Sequence, residues 1–241
     1  MYFCERHEKI LEMLRENGSV SVKRLAERLF VSQPTIRRDL AFLREQNLIH
    51  RTFGGAALRN HSTEEIPFEV RNNQYADSKE IIARKASEYL KEDSVIFLDA
   101  SSTVYRLLPY ISKFKNITVI TNSPKVCLTL AEEGLCSYCT GGTLLSRSKA
   151  FVGESAEAYI KKFNIDTFFF SSLGVTNDGK ITDTSVVESE MRKSVMQQSK
   201  QIVFMCSSAK IGKEYFYNVA DISQVDVIIS DIDVEEIFKT K

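Results

Sequence analysis

Residues 20–56 read VSVKRLAERLFVSQPTIRRDLAFLREQNLIHRTFGGA, and the spacing of their apolar side chains decides what the amino-terminal part of this 241-residue chain becomes. Ser21 stands where it caps a helix in which Val22, Leu25, Ala26 and Leu29 fall at i, i+3, i+4 and i+7. A turn through Phe30 and Val31 reaches Ser32, a second N-cap, with Pro34 in the first turn, where a missing N–H costs little. Ile36, Leu40 and Leu43 then give the next helix one apolar side. After Asn47 the segment LIHRTF alternates, Gly54-Gly55 supply a turn and AAL follows, which predicts a two-stranded wing. Upstream, His7, Ile10, Leu11 and Leu14 predict one more helix, stopped by Asn17-Gly18.

Charge sharpens this reading. The chain is neutral overall, yet residues 1–59 hold 11 Lys and Arg against 7 Asp and Glu, and the rest is acidic to the same extent. Between Val20 and Arg44 stand six basic and two acidic residues. With Ile36 facing inward, a helical wheel turns Pro34, Arg38 and Ala41 outward, with Thr35, Arg37 and Phe42 on the flanks. Two short helices joined by a tight turn, the second cationic, form a helix-turn-helix at 20–39. A helix about 10–12 Å across fits a major groove about 12 Å wide. The plainer alternative is an amphipathic hairpin with a solvated face; the adjacent arginines and the basic wing argue against it.

The words LAERLFVS, S-x-x-TIRRDL and R-x-x-GGA resemble the amino-terminal winged helix of the DeoR family of bacterial transcriptional regulators. The resemblance makes Ser32 to Leu43 the recognition helix. It implies that Ser32, Gln33, Thr35, Arg37 and Arg38 meet double-stranded operator DNA and that Arg51 in the wing meets its backbone. Arg and Gln read guanine and adenine edges but also bind phosphates, so the division between the two roles stays open.

The organisation expected is a winged helix over 1–58, a polar connector over 59–78 and a larger second domain over 79–241. In the last, VIFLD (95–99), ITVITN (117–122), DTFFFSSLGV (166–175), QIVFMCS (201–207) and VDVIIS (225–230) read as buried strands separated by helical stretches. Such alternation builds a parallel sheet covered on both faces, so the fold class is α/β with a Rossmann-like second domain. Ligands of such sheets collect at the carboxyl ends of strands. The residues there are Asp99, Ser101, Ser102 and Thr103, then Thr121 and Asn122, Gly141 and Gly142, Gly174, Glu188 and Lys210. Hydroxyls leading into a helix make a plausible phosphate seat after Asp99. Singly each residue is an ordinary cap, turn or surface lysine; together they describe an anion-binding pocket. Arg71 and Lys79 read as bridging or solubilising charges.

This second part also resembles the DeoR sensor domain, similar in fold to ribose-5-phosphate isomerase and coenzyme A transferases. LDASST, TNS, the glycines Gly141, Gly142 and Gly153, Glu188 before Arg192-Lys193, and SSAK carry that likeness. Ser101 stands where glycine is usual and Ser207 where aspartate is. The resemblance implies a repressor of sugar-metabolism genes, relieved by a phosphorylated sugar or related metabolite and working as a homodimer or homotetramer.

Two other functions compete. An isomerase-like enzyme needs a carboxylate base and an acid partner, for which only Asp99, Asp183, Glu188 and Lys210 offer themselves. A constitutive DNA-binding oligomer needs no effector. The longest apolar run, Ile202 to Cys206, falls far short of the roughly 20 residues that span a bilayer. Scattered cysteines and a charged start fit a reduced, cytoplasmic protein. Cys136 and Cys139 form a lone CxxC and the histidines lack ligand spacing, so neither metal nor catalytic cofactor is expected.

Overall fold

The computed structural model describes residues 3–45, 48–52, 54–58, 66–234 and 237–238. The chain divides into two compact units, Met1–Gln74 and Tyr75–Lys241.

The first unit runs α1 (Phe3–Asn17), β1 (Ser19–Ser21), α2 (Val22–Leu29), α3 (Gln33–Glu45), β2 (Ile49–Thr52), β3 (Gly55–Leu58) and α4 (Phe68–Asn73). Ser21 caps α2 by accepting from the Arg24 N–H, and Ser32 caps α3 by accepting from the Thr35 N–H. The apolar stripes meet as expected: Ile10, Leu14, Leu25, Leu29, Ile36, Leu40 and Leu43 form one buried cluster. The wing differs from its sequence reading in two respects. It has a third strand, β1, giving the order β1-β3-β2. Alternation also fails in β2, where Ile49 is buried and His50, Arg51 and Thr52 are all exposed, because this short edge strand covers the core only at its start. Gly54 turns at φ 83°, and a side chain on Gly55 would collide with the Val20 carbonyl, so the tight β1–β3 pairing rests on this glycine pair.

Of the connector expected at 59–78, residues 59–65 lie outside the described residues. The rest is largely helical: α4 occupies 68–73 and α5 starts at Ala76, while Ile66 and Val70 pack on the winged-helix core.

The second unit contains α5 (Ala76–Ala86), β4 (Val95–Leu98), α6 (Leu108–Ile111), β5 (Thr118–Thr121), α7 (Pro124–Glu132), β6 (Ser137–Cys139), β7 (Thr143–Leu144), β8 (Phe151–Val152), α8 (Glu154–Ile160), β9 (Ile165–Phe170), β10 (Gly174–Val175), β11 (Lys180–Asp183), α9 (Val186–Met196), β12 (Ser199–Met205), β13 (Tyr217–Asp221) and β14 (Val227–Ile229). Six strands form a parallel sheet in the order β14-β12-β9-β4-β5-β6. The chain thus builds outward from β4 in one direction, then returns to β9 and builds in the other, the doubly wound pattern.

The inner strands β5, β4, β9 and β12 feed both layers. Ile96, Leu98, Val119, Phe169, Val203 and Met205 face one core, while Phe97, Ile120, Phe168, Phe170 and Phe204 face the other. The stretch 166–175, expected as one strand, is two. Past Phe170 the Ser171 N–H bonds Asp99 and its hydroxyl bonds the Met205 carbonyl, so the chain leaves the sheet and Gly174–Val175 joins β11 and β13 in a small antiparallel sheet. Among the described residues no helix is long and apolar enough to cross a membrane.

Candidate functional site

On the first unit, Ser32, Gln33, Arg37 and Arg38 are exposed at the start of α3, Thr35 is half-buried, and Arg51 is exposed on β2. Ser32 and Thr35 share a hydroxyl–hydroxyl hydrogen bond of 2.8 Å, so these two shape the helix start while Gln33, Arg37 and Arg38 extend from it. Asp39, in the middle of TIRRDL, does not dilute this cationic face. It turns inward, 1% exposed, and accepts two hydrogen bonds from Arg6 at 2.6 and 2.9 Å, with His7 Nε2 at 3.1 Å. His7 in turn stacks on Phe42, ring centroids 5.0 Å apart. Burial pulls the His7 pKa below its ordinary 6.5 and outweighs the pull of Asp39. The spacing of His7, Ile10, Leu11 and Leu14 puts His7 on the apolar side of α1, but its hydrogen-bonding partner lies 32 residues away and leaves no local mark.

In the second unit Asp99, Ser101, Ser102 and Thr103 follow the end of β4, Thr121 closes β5 and Asn122 follows it, and Asp99 sits where the winding reverses, between β4 and β9. Its Oδ1 accepts from the Ser101 N–H at 2.9 Å and its Oδ2 from the Ser171 N–H at 3.3 Å. Arg192 binds it as well, Nε to Asp99 Oδ2 at 3.2 Å, Nη1 to Asp183 Oδ2 at 2.9 Å and Nη2 to Glu188 Oε2 at 3.6 Å. All four side chains are buried. Desolvation opposes the Arg192 charge, yet Asp183, Asp99 and Glu188 together hold its pKa above the ordinary value. Three elements supply the cluster: the loop after β4, the end of β11, and α9, whose Ser185 cap sets Glu188 and Arg192 one turn apart. Asp99, Glu188 and Arg192 of this cluster, with Phe97, Ala100, Asn122, Phe168, Met191 and Val195, line a cavity of about 10 Å³.

The remaining residues fall into three groups. Lys79, read as a bridging or solubilising charge, is in fact 3% exposed and its Nζ donates to Ser102 Oγ at 3.0 Å. Lys210 Nζ donates to Ser171 Oγ at 2.8 Å, one residue from the strand end that meets Asp99. The hydroxyls are mostly committed to the fold. Thr121 Oγ1 donates to the Leu98 carbonyl at 2.6 Å, and Ser101 Oγ accepts from the Val104 N–H. Thr103 Oγ1 is buried without a partner among the described residues.

The helix expected after Asp99 is a single 3₁₀ turn, Val104–Leu107, followed by the four residues of α6. The Val104, Tyr105 and Arg106 N–H groups bond Ser101 and Thr103, because only nine residues separate β4 from α6 and the chain closes tightly. Gly142 is needed for packing: a Cβ would stand 2.6 Å from the Val152 carbonyl. Gly174 lies in β10, where a Cβ would stand 2.5 Å from the Lys213 carbonyl, whereas Gly141 has open space. The CxxC pair also separates. Cys136 is exposed, while Cys139 shares a hydrogen bond with Cys127 on α7 that lowers the Cys127 pKa to about 6 and raises that of Cys139. Among the described residues no group of three His, Cys, Asp or Glu is placed to hold a metal.

A winged helix with an outward cationic recognition helix, joined to a doubly wound unit whose polar groups gather at the reversal point, defines a DNA-binding regulator with a sensor-type second domain. Residues 6–62 match the DeoR-like helix-turn-helix domain and residues 74–232 the DeoR C terminal sensor domain. The chain belongs to the DeoR family of transcriptional regulators. It is 32% identical over 228 residues to the glycerol-3-phosphate regulon repressor of Escherichia coli (strain K12), covering 94% of this chain and 90% of that one. It is 32% identical to the L-fucose operon activator of Haemophilus influenzae over 94% and 91% of the two chains. With the transcriptional repressor GlcR of Bacillus subtilis it shares 30% over 96% and 89%. Among solved structures, the delta subunit of translation initiation factor eIF-2B from A. fulgidus aligns with a TM-score of 0.51 at 12% identity, over 99% of this chain and 86% of that one, a likeness of fold alone. Ribose 5-phosphate isomerase from Plasmodium falciparum aligns over 55% and 52% at 18% identity, TM-score 0.41. The chain is a regulator and not an enzyme, and its three candidate catalytic carboxylates are all tied to Arg192.

Proposed function

We propose that this regulator is a repressor of sugar-metabolism genes that reads its operator through Gln33, Arg37 and Arg38 on α3, with Arg51 on the wing against the backbone. A phosphorylated sugar or sugar alcohol held in the second unit around Asp99, Asn122, Glu188 and Lys210 sets the operator affinity. The observation that carries the effector half is the buried cluster of Asp99, Asp183, Glu188 and Arg192 at the point where the sheet reverses, where open α/β sheets hold ligands. Relatives named as the repressor of a glycerol-3-phosphate regulon and the activator of an L-fucose operon support the sugar-metabolism target, and both a repressor and an activator stand among them. Operators are read as paired half-sites, so the working form is a homodimer or homotetramer that spaces two winged helices by one helical turn or a multiple. A cytoplasmic location follows from this role.

The test is operator binding by the full chain, followed by fluorescence anisotropy with and without phosphorylated sugars. Arg37→Ala and Arg38→Ala each weaken binding by about 1–3 kcal/mol where the arginine reads a base. Where it meets only phosphate, the salt slope drops by about one unit and sequence preference is kept. Wild-type affinity in both variants overturns this recognition surface. An operator affinity indifferent to every phosphorylated sugar favours the constitutive oligomer instead.

A further inference from the structure

Two thiols of the second unit meet, and the functions assigned above use neither of them. Cys127 lies in the first turn of α7, its N–H bonded to the Ser123 carbonyl at 3.2 Å. Cys139 ends β6, the strand at one edge of the parallel sheet. Because α7 is the crossover between β5 and β6, the fold sets these two cysteines against each other. The Cys139 thiol donates a hydrogen bond to the Cys127 sulfur, and the Ser137 hydroxyl donates to the same atom. Both cysteines are half-buried, open to a small molecule and screened from a large one.

These surroundings give the two thiols different chemistry. The Cys139 and Ser137 donors favour the Cys127 thiolate against the opposing effect of burial, and they lower its pKa to about 6. The positive end of α7 acts in the same direction. Cys139 keeps its proton in the shared bond, which raises its own pKa. A thiolate beside a protonated neighbour pairs a nucleophile with the thiol that can resolve it. Cys206 is different, since burial pushes its thiol up to about 11. Cys136 is exposed, so access alone favours reaction there, whereas the paired geometry favours Cys127.

We propose that Cys127 and Cys139 form a modification site for hydroperoxides, which convert the pair into an intramolecular disulfide tying α7 to the edge strand β6. The Cys127 thiolate attacks the terminal peroxide oxygen and the O–O bond breaks. Cys127 becomes a sulfenic acid, and the departing alkoxide or hydroxide takes a proton from solvent. The Cys139 sulfur then attacks the Cys127 sulfur. An S–S bond forms, the S–O bond breaks, and the sulfenic hydroxyl leaves as water with the Cys139 proton. The two cysteines lose two electrons and the peroxide gains both. The site responds to an oxidant and does not depend on the effector reading.

The experiment treats the reduced full-length protein with hydrogen peroxide at neutral pH and maps its cysteines by peptide mass spectrometry. A Cys127–Cys139 disulfide forms before Cys136 is oxidised, and dithiothreitol restores both thiols. Cys127→Ser abolishes the disulfide, and Cys136→Ser leaves it unchanged. In Cys139→Ser, Cys127 stops as the sulfenic acid and is trapped by dimedone. A cooperative melting transition in each variant shows that it folds, and the wild-type map decides the matter without them. Oxidation of Cys136 ahead of the pair, a disulfide joining Cys127 or Cys139 to any other cysteine, or two free thiols in excess peroxide overturns the inference.

Discussion

Arg192 neutralises more than any other buried side chain of the second unit, and its removal is the harshest single change the structure suggests. Arg192→Leu leaves Asp99, Asp183 and Glu188 buried together with no cation, at a cost of about 3–5 kcal/mol. Chemical denaturation followed by tyrosine fluorescence measures it; a loss below about 1 kcal/mol means the carboxylates reach solvent. Phe30 is the opposite case. It ends α2 at φ 55° and is 92% exposed, an aromatic ring in a conformation that favours glycine with nothing gained by packing. Phe30→Gly raises stability by about 1 kcal/mol in the same measurement, and a loss instead shows that the ring has a partner.

At the scale of elements, Asp39 ties α3 to α1 through Arg6 and His7, which makes the winged helix sensitive to acid. Burial holds His7 below its unfolded pKa of 6.5, so the folded unit prefers the neutral ring. Its contribution is complete above pH 6.5 and is lost as pH falls toward the lowered folded value. The melting temperature of the protein drops through that window, and His7→Gln flattens the profile there; a profile unchanged by the substitution removes His7 as the cause.

The elements themselves were largely legible. Caps at Ser21 and Ser32 and the apolar stripes of α1 to α3 depend on neighbours within four residues, and buried strands such as 95–98 are marked by apolar runs. The ion cluster was not, because Arg192 meets Asp99 across 93 residues of sequence, a pairing no periodicity records. Lys79 misled for a related reason: its burial depends on Ser102 in a distant loop, whereas composition marks lysine as a surface residue. The division at Ser171 was hidden since serine neither starts nor breaks a strand by itself.

For the molecule as a whole, one unit carries the helix-turn-helix and the other the buried polar cluster, and any influence of one upon the other must run both ways. If a phosphorylated sugar lowers operator affinity by some factor, saturating operator lowers sugar affinity by that same factor. Titrating glycerol 3-phosphate or glucitol 6-phosphate into free protein and into the operator complex checks the equality, and unequal factors mean that the two binding events belong to different assemblies. The cluster at the sheet reversal bears on kinetics as well. Asp99, Asp183, Glu188 and Arg192 are 2–6% exposed, so if the proposed effector meets them it does so only while the loops after β4 and β11 part, and the fraction of time spent parted scales the apparent affinity in proportion.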